Sequence, residues 1–86
     1  MNFPFLETKQ DQTYLRTFSD NVDEEELVWH RDREDRLVKS LEVTDWKVQI
    51  DNNLPQILTE IFIPKGVYHR IIKGTGSLKI LITKYS

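Results

Sequence analysis

The chain has 86 residues, no cysteine, and a formal net charge of −2 from 12 basic and 14 acidic side chains. This length fits a single domain, and the lack of cysteine excludes a disulfide framework, a zinc finger, an iron–sulfur protein and a thiol nucleophile. The near-neutral charge argues against a nucleic-acid-binding protein, which usually carries a basic excess.

The composition favours strands over helices. Alanine is absent, whereas Val, Ile, Thr and the aromatic residues, which pack well on a pleated sheet, make up about a third of the chain. No apolar run approaches the roughly 20 residues of a membrane span, and residues 1–5 lack the basic and apolar regions of a signal peptide. We therefore expect an all-β, soluble, cytoplasmic domain with no membrane or nucleic-acid partner.

The first 25 residues are mixed and polar. Residues 13–18 predict one strand, and an acidic connector follows that has the composition of a solvated loop: Asp20, Asp23, Glu24 and Glu25. We predict that residues 1–25 form this N-terminal strand and connector and that residues 26–86 form the β core. The two parts together make one domain.

From residue 26 onward the pattern alternates between strands and turns. Strands are predicted at residues 27–32, 36–42, 45–50, 57–63, 67–73 and from 78 onward, with turns at 51–55 and 64–66 and a hairpin turn at 74–76. Short strands at this spacing are typical of a sandwich or a barrel. The alternating apolar residues are assigned to the core: Trp46, Val48, Ile50, Phe62, Ile71, Leu78, Ile80 and Ile82.

The two histidines lie in contexts that suit a metal site. His30 and Asp32 are two residues apart on a predicted strand, so their side chains share one face. His69 opens another predicted strand directly after a tight turn. If these strands meet, the three groups converge, and two histidines with one carboxylate leave the other face of a metal open for substrate or dioxygen. We predict His30, Asp32 and His69 as metal ligands.

The same residues resemble the motifs of the cupin superfamily of small β-barrels. The second cupin motif, Pro-x-Gly-x-x-His, is matched by Pro64, Gly66 and His69. In the first motif, His30 and Asp32 stand at the positions of the two histidines, and arginine occupies position 36, where the family has a glutamate ligand. The resemblance covers residues 26–83. It implies a small cupin-like barrel of the jelly-roll type, a divalent metal and a small-molecule ligand.

Three neighbouring residues have alternative roles. Glu34 or Asp35 supplies a fourth ligand if the loop after Asp32 shifts the register. Arg36 cannot bind a metal because its guanidinium stays protonated. It either receives the carboxylate or phosphate of a small acidic substrate or pairs with Asp32 or Asp35 at the rim. Asp32 itself is either a ligand or an ion-pair partner of the surrounding arginines, and the histidines are either ligands or structural residues.

Three functions remain open. The resemblance implies a metal-dependent enzyme of the dioxygenase, isomerase or lyase class, with Fe(II) favoured over Zn, Mn or Ni because open positions suit substrate and dioxygen together. The second function is a non-catalytic small-ligand-binding module, and the third is a dimerisation or interaction module. Trp29 and Tyr68 point away from the histidines, so we expect a homodimer, or residues 1–25, to cover that surface. No catalytic residue is assigned.

Overall fold

In the computed structural model, residues 5–23 and 27–85 are described. These residues form eight strands and no helix, and the all-β fold class predicted from the sequence is confirmed. The strands are β1 (Leu6–Gln10), β2 (Thr13–Phe18), β3 (Asp35–Ser40), β4 (Lys47–Ile50), β5 (Gln56–Ile57), β6 (Glu60–Ile63), β7 (His69–Ile72) and β8 (Leu78–Tyr85). Within this described part, no helix is long and apolar enough to cross a membrane.

The strands make two antiparallel sheets. One has five strands in the order β1-β2-β8-β3-β6, and the other has three in the order β5-β4-β7. The core contains residues from both sheets, with Val48 from the smaller sheet and Val38, Ile80 and Ile82 from the larger. The described strands therefore form a two-layer jelly-roll arrangement without one closed ring of hydrogen bonds, and the metal-ligand candidates lie at one end of it.

The central strand β8 and the residue before β4 supply four of the ten buried hydrophobic side chains among the described residues. Leu78, Ile80 and Ile82 alternate on the inner face of β8 and are 1–2% exposed, as period-2 apolar residues require. Trp46 is fully buried, and its indole Nε1 donates a hydrogen bond to the carbonyl of Gly76 at 3.1 Å. This partner removes the penalty of burying an unpaired N–H group.

One core assignment was wrong. Phe62 was expected inside but is 50% exposed, whereas Ile63 is buried and Ile61 packs against the core. The register of β6 on β3 pairs Phe62 with Leu37 on the outer face. Three consecutive apolar residues give no alternation, so the sequence pattern alone could not distinguish the inner face from the outer.

Two predicted strands were also too long. Residues 57–63 divide into β5 and β6, which belong to different sheets. At the bend between them Leu58 is buried, and its N–H donates to Trp46 O at 2.9 Å. Residues 27–32 are irregular apart from His30, which makes an isolated bridge with His69. The apolar composition of residues 57–63 and 27–32 predicted a strand in each. A continuous strand also needs a neighbouring strand that it can hydrogen-bond along its whole length, and neither segment has one among the described residues.

The turn at residues 74–76 is a crossover between sheets rather than a hairpin. It joins β7 of the smaller sheet to β8 of the larger one. Asp45 holds it, because its carboxylate accepts hydrogen bonds from the Thr75 N–H at 2.7 Å and the Thr75 hydroxyl at 2.8 Å. A Cβ atom on Gly74 would collide with Asp45 and with the backbone nitrogen of Trp46, so only glycine fits there.

The N-terminal segment is part of the larger sheet. The predicted strand at 13–18 is confirmed as β2, which pairs with β8 along its whole length. The additional strand β1 forms a hairpin with β2 through a two-residue turn in which Asp11 has φ of +57°. β1 was missed because its side chains are all exposed and show no apolar alternation. Residues 24–26, where the acidic connector ends and the predicted β core begins, lie outside the described residues.

The outer surface near the histidines carries two exposed aromatic side chains. Trp29 is 42% exposed and Tyr68 is 48% exposed. Each is stacked by an arginine: the guanidinium of Arg70 lies 4.9 Å from the Trp29 ring centre and that of Arg31 lies 5.4 Å from the Tyr68 ring centre. The cover by a homodimer stays a prediction.

Candidate metal centre

The structure brings His30, Asp32 and His69 together. Each offers one ligand atom, and these three atoms lie within 4.8 Å of one another. The Nε2 of His69 is 3.2 Å from Asp32 Oδ2, and the Nε2 of His30 is 3.9 Å from Asp32 Oδ1. Within the described residues this is the one group of three or more His, Cys, Asp or Glu side chains with such spacing.

Backbone pairing sets the positions of the two imidazoles. His30 N donates to His69 O at 3.0 Å, and His69 N donates back to His30 O at 2.9 Å. This reciprocal bridge places the two side chains on the same side of the pair, with their ring centres 4.3 Å apart. His69 is held by the strand β7, whereas His30 is held by this single bridge.

The turn of residues 64–66 positions the carboxylate. Gly66 has φ of +79°, a left-handed conformation that glycine adopts without strain. In this conformation the Gly66 N–H donates to the backbone carbonyl of Asp32 at 2.9 Å. The neighbouring Lys65 N–H donates to Asp35 Oδ1 at 2.8 Å. The turn that precedes His69 in the sequence therefore also anchors the segment that carries Asp32.

Both histidines direct their Nε2 atom at the carboxylate. The Nδ1 of His30 lies 3.0 Å from Val28 O, and the Nδ1 of His69 lies 2.9 Å from Val67 O. A carbonyl oxygen only accepts, so each Nδ1 must carry the proton and donate it. This leaves Nε2 as the ring atom that a metal would bind, and the carbonyl fixes the ring orientation.

The side chain of Asp32 is largely shielded from solvent, and its hydrogen-bonding capacity is only partly used. Its side chain is 7% exposed, and Oδ1 lies 3.4 Å from Nη1 of Arg36. Its other oxygen, Oδ2, has no hydrogen-bond partner among the described residues. Since Oδ2 faces the Nε2 of His69, two acceptors oppose each other unless a cation lies between them or the ring is protonated. A divalent metal fits this set of two imidazoles and one carboxylate.

The carboxyl group of Asp32 is ionised at neutral pH. Burial alone would raise its pKa, but the contact with His69 and the positive charge of Arg36 outweigh that effect, so the pKa is lowered below 3.8. A ligand must be deprotonated to bind a metal. Asp32 is therefore in the protonation state that a metal ligand needs.

The other three candidates at the site are placed differently. Arg36 faces the cavity described below and pairs with Asp32, as one of the sequence alternatives stated, and not with Asp35. Its Nε and Nη2 donate to Glu34 Oε1 at 3.2 and 2.9 Å. Glu34 also lies 3.7 Å from Nζ of Lys84. The structure does not bring Glu34 or Asp35 into the ligand cluster. Glu34 is held by Arg36 and Lys84, and Asp35 accepts a hydrogen bond from the backbone N–H of Lys65.

The cluster opens into a cavity of about 370 Å³ between the sheets. This volume is near the lower end of the roughly 300–1,000 Å³ that small-molecule sites occupy. Most of the lining is aliphatic or aromatic, and the polar lining residues besides the cluster are Arg16 and Arg36. Arg16 was not predicted from the sequence, although it alternates with Tyr14 and Phe18 on one face of β2, and that spacing favours an inward side chain.

Comparisons with known proteins show the fold alone. No family model matches the sequence, and no curated protein matches it. Solved structures do match, at sequence identities too low to carry function across.

Three of these structures illustrate the likeness. An RmlC-like cupin family protein with a double-stranded β-helix fold, from Methanocaldococcus jannaschii, is 9% identical with a TM-score of 0.72, over 96% of this chain and 81% of that one. The DMSP lyase DddQ from Ruegeria pomeroyi DSS-3 is 11% identical with a TM-score of 0.68, over 86% of this chain and 37% of that one. Fe(II) HppE in complex with substrate is 14% identical with a TM-score of 0.67, and the match covers 99% of this chain and 55% of that one.

The chain therefore has the cupin fold, as its motifs indicated. It spans about half the length of HppE and less than half that of the lyase, so the activities of those enzymes are not transferred with the fold.

Proposed function

We propose that this cupin-fold chain binds a divalent transition metal through His30, Asp32 and His69. The observation that carries the proposal is the Oδ2 atom of Asp32, which is shielded from solvent, lacks a hydrogen-bond partner among the described residues and faces the Nε2 atom of His69 at 3.2 Å. Fe(II) is the favoured metal, with Zn, Mn and Ni as alternatives, because two histidines and one carboxylate on one face suit iron. The Fe(II) form of HppE, which shares the fold, supports the same choice.

We further propose that the metal serves a reaction on a small acidic molecule, of the dioxygenase, isomerase or lyase class. A metal in this position would supply a Lewis acid with open coordination positions. The chain's own contribution is to keep Asp32 ionised, to fix both imidazoles by their Nδ1 hydrogen bonds, and to exclude bulk water with the apolar lining of the cavity.

Arg36 has a positioning role at this site. It was a candidate substrate-binding residue on sequence grounds, but its three guanidinium nitrogens already lie against Glu34 and Asp32. It holds Oδ1 of Asp32 and leaves Oδ2 directed at His69. Its charge also helps to lower the pKa of Asp32.

The alternative function is a binding module without catalysis. The cavity of about 370 Å³ with a mostly apolar lining favours it, because such a cavity holds a small molecule with or without chemistry. Turnover of a metal-loaded sample distinguishes the two functions, whereas metal content alone does not.

Elemental analysis of untagged protein tests the metal proposal. We expect close to one equivalent of metal per chain in the wild type and a loss of metal in His30→Ala, His69→Ala and Asp32→Asn. Asp35→Asn is the matched control, because Asp35 is three residues from Asp32 but outside the cluster. Protein that contains no metal and takes up none of Fe(II), Mn(II), Ni(II) or Zn(II) would contradict the proposal.

A further inference from the structure

Arg16 places a second cation in the cavity, away from the ligand cluster. It lies on β2 directly opposite Ile80 of β8, and paired residues of an antiparallel ladder share a face. Ile80 is 1% exposed, and the Arg16 side chain is itself only 15% exposed. Arg16 therefore projects towards the core side of the five-stranded sheet, where it lines the same cavity as His69 and Asp32.

Arg16 differs from Arg36 in the hydrogen-bonding capacity that remains. Arg36 directs Nε, Nη1 and Nη2 at two carboxylates. Arg16 makes one ion pair, from Nε to Glu7 of β1. Within the described part of the chain, its Nη1 and Nη2 donate no hydrogen bond to a carboxylate. These two nitrogens form one edge of the guanidinium, and such an edge matches a carboxylate.

The guanidinium of Arg16 is also held in place. It lies over the ring of Phe5 at 4.3 Å from the ring centre, which contributes a cation–π interaction and restricts one face of the group. Glu7 restrains Nε. A pre-positioned cation loses less conformational freedom on binding an anion than a mobile surface arginine does.

The cavity wall beyond Arg16 is apolar. Phe18, Val38, Ile80 and Ile82 line it, and each is at most 6% exposed. A charged group is costly to bury beside such residues unless a partner of opposite charge receives it. An acid that enters the cavity therefore needs a cation, and Arg16 has donors available for it.

We propose that Arg16 anchors the carboxylate of a small organic acid whose carbon chain lies along the apolar wall. The anchoring site stands on the geometry of Arg16 alone. The statement that this acid is also the substrate, with its other end directed at the His30–Asp32–His69 cluster, rests on the proposed function.

Isothermal titration with hexanoate and its uncharged isostere hexanamide tests the proposal, on both metal-free and Zn(II)-loaded protein. In the metal-free wild type we expect hexanoate to bind about tenfold more tightly than hexanamide, as one charge-assisted pair implies. Arg16→Gln removes this preference, and Arg16→Lys retains part of it because the charge stays while the two-pronged edge is lost. Zn(II) content is unchanged in both variants.

Glu7→Gln is the second variant, and it predicts a change of opposite sign. Glu7 lies on the exposed edge strand β1, so the substitution spares the core while it removes the negative charge that competes for Arg16. The glutamine carbonyl still accepts a hydrogen bond from Nε, so the guanidinium stays restrained. We expect hexanoate to bind several-fold more tightly to Glu7→Gln than to the wild type. This result is informative even if Arg16→Gln does not fold.

The outcomes separate this proposal from the metal proposal. A hexanoate preference that survives in folded Arg16→Gln, or that appears only after Zn(II) is added, would overturn the anchor because the carboxylate would then bind elsewhere. Unchanged or weaker binding in Glu7→Gln would overturn it as well. A preference that depends on Arg16 in protein unable to take up metal supports the anchor and contradicts the proposed function.

Discussion

The two histidines of the site belong to regions that are held in different ways. His69 is a buried residue of β7, inside a ladder that pairs it with Ile50 of β4. His30 lies in the irregular segment 27–34, its side chain is 45% exposed, and one isolated bridge attaches it to the sheet. One ligand is thus part of a strand ladder, and the other lies in an irregular segment held by the bridge and by side-chain contacts such as the stacking of Arg70 on Trp29. The site therefore joins a ligand on a continuous strand ladder to ligands on an irregular segment.

The two tryptophans extend this contrast and give the greatest predicted loss of stability. Trp46→Ala should lower the free energy of unfolding by about 3–5 kcal/mol, because the side chain is fully buried at the centre of the scaffold. Trp29→Ala, in the segment 27–34, should cost about 1 kcal/mol or less, the value of its stacking on Arg70. Urea unfolding measures both. Equal losses would contradict the distinction between the two regions.

A bound metal should stabilise the fold because its ligands come from both regions, His69 from β7 and His30 with Asp32 from the segment 27–34. Zn(II) at a hundred times its dissociation constant should raise the free energy of unfolding by about 2.7 kcal/mol, because only the folded state assembles the three ligands. Thermal unfolding with and without chelator measures the increase. It should vanish in Asp32→Asn and persist in Asp35→Asn. A stabilisation that survives the loss of Asp32 would place the metal elsewhere.

Without metal, the two histidines should differ in their effect on stability. His69→Ala removes a buried ring and its hydrogen bond to Val67 O, at a cost of about 1–3 kcal/mol. His30→Ala removes a half-exposed ring and should cost about 0.5 kcal/mol or less. Both variants should nevertheless lose metal binding. Denaturant unfolding in excess chelator gives the comparison, and an equal or larger cost for His30→Ala would refute it.

The smallest predicted effect concerns how the free energy of unfolding depends on pH in acid. The lowered pKa of Asp32 means that its ionised form stabilises the fold above pH 3.8, and this contribution is lost as the pH falls through the lowered value. The stability difference between metal-free wild type and Asp32→Asn should therefore narrow as the pH is lowered below about 4. Chemical unfolding between about pH 6 and about pH 2.5 spans this range. A difference in the free energy of unfolding between wild type and Asp32→Asn that grows as the pH falls would contradict the lowered pKa of Asp32.

The sequence was sufficient to predict the all-β fold class and the proximity of His30, Asp32 and His69. The alternation of β8 predicted its buried face, and the turn predicted at residues 64–66 is present, with Gly66 at a positive φ. The cluster followed from motif positions even though residues 27–32 are not a strand. A reciprocal pair of backbone hydrogen bonds at His30 gives its side chain the direction that a strand would have given it.

What the sequence did not contain was the pairing of distant segments. The split of residues 57–63 and the crossover at 74–76 depend on which sheet each strand joins, and local alternation carries no information about that. The roles of Arg16 and Arg36 were also hidden. Both arginines line the cavity, and only their partners in the described part of the chain distinguish them: Glu7 for Arg16, and Glu34 with Asp32 for Arg36.

Nitrogen-15 NMR of the two imidazoles can establish whether both Nε2 atoms face a shared cation site. The chain has only these two histidines, so long-range proton–nitrogen spectra near neutral pH contain two ring systems. We expect the Nδ1-protonated tautomer for both rings, and a shift of both Nε2 resonances to metal-bound values on addition of one equivalent of Zn(II). If the Nε2 resonances of both rings stay unchanged, or if only one of them shifts, the result would contradict a metal site shared by His30 and His69.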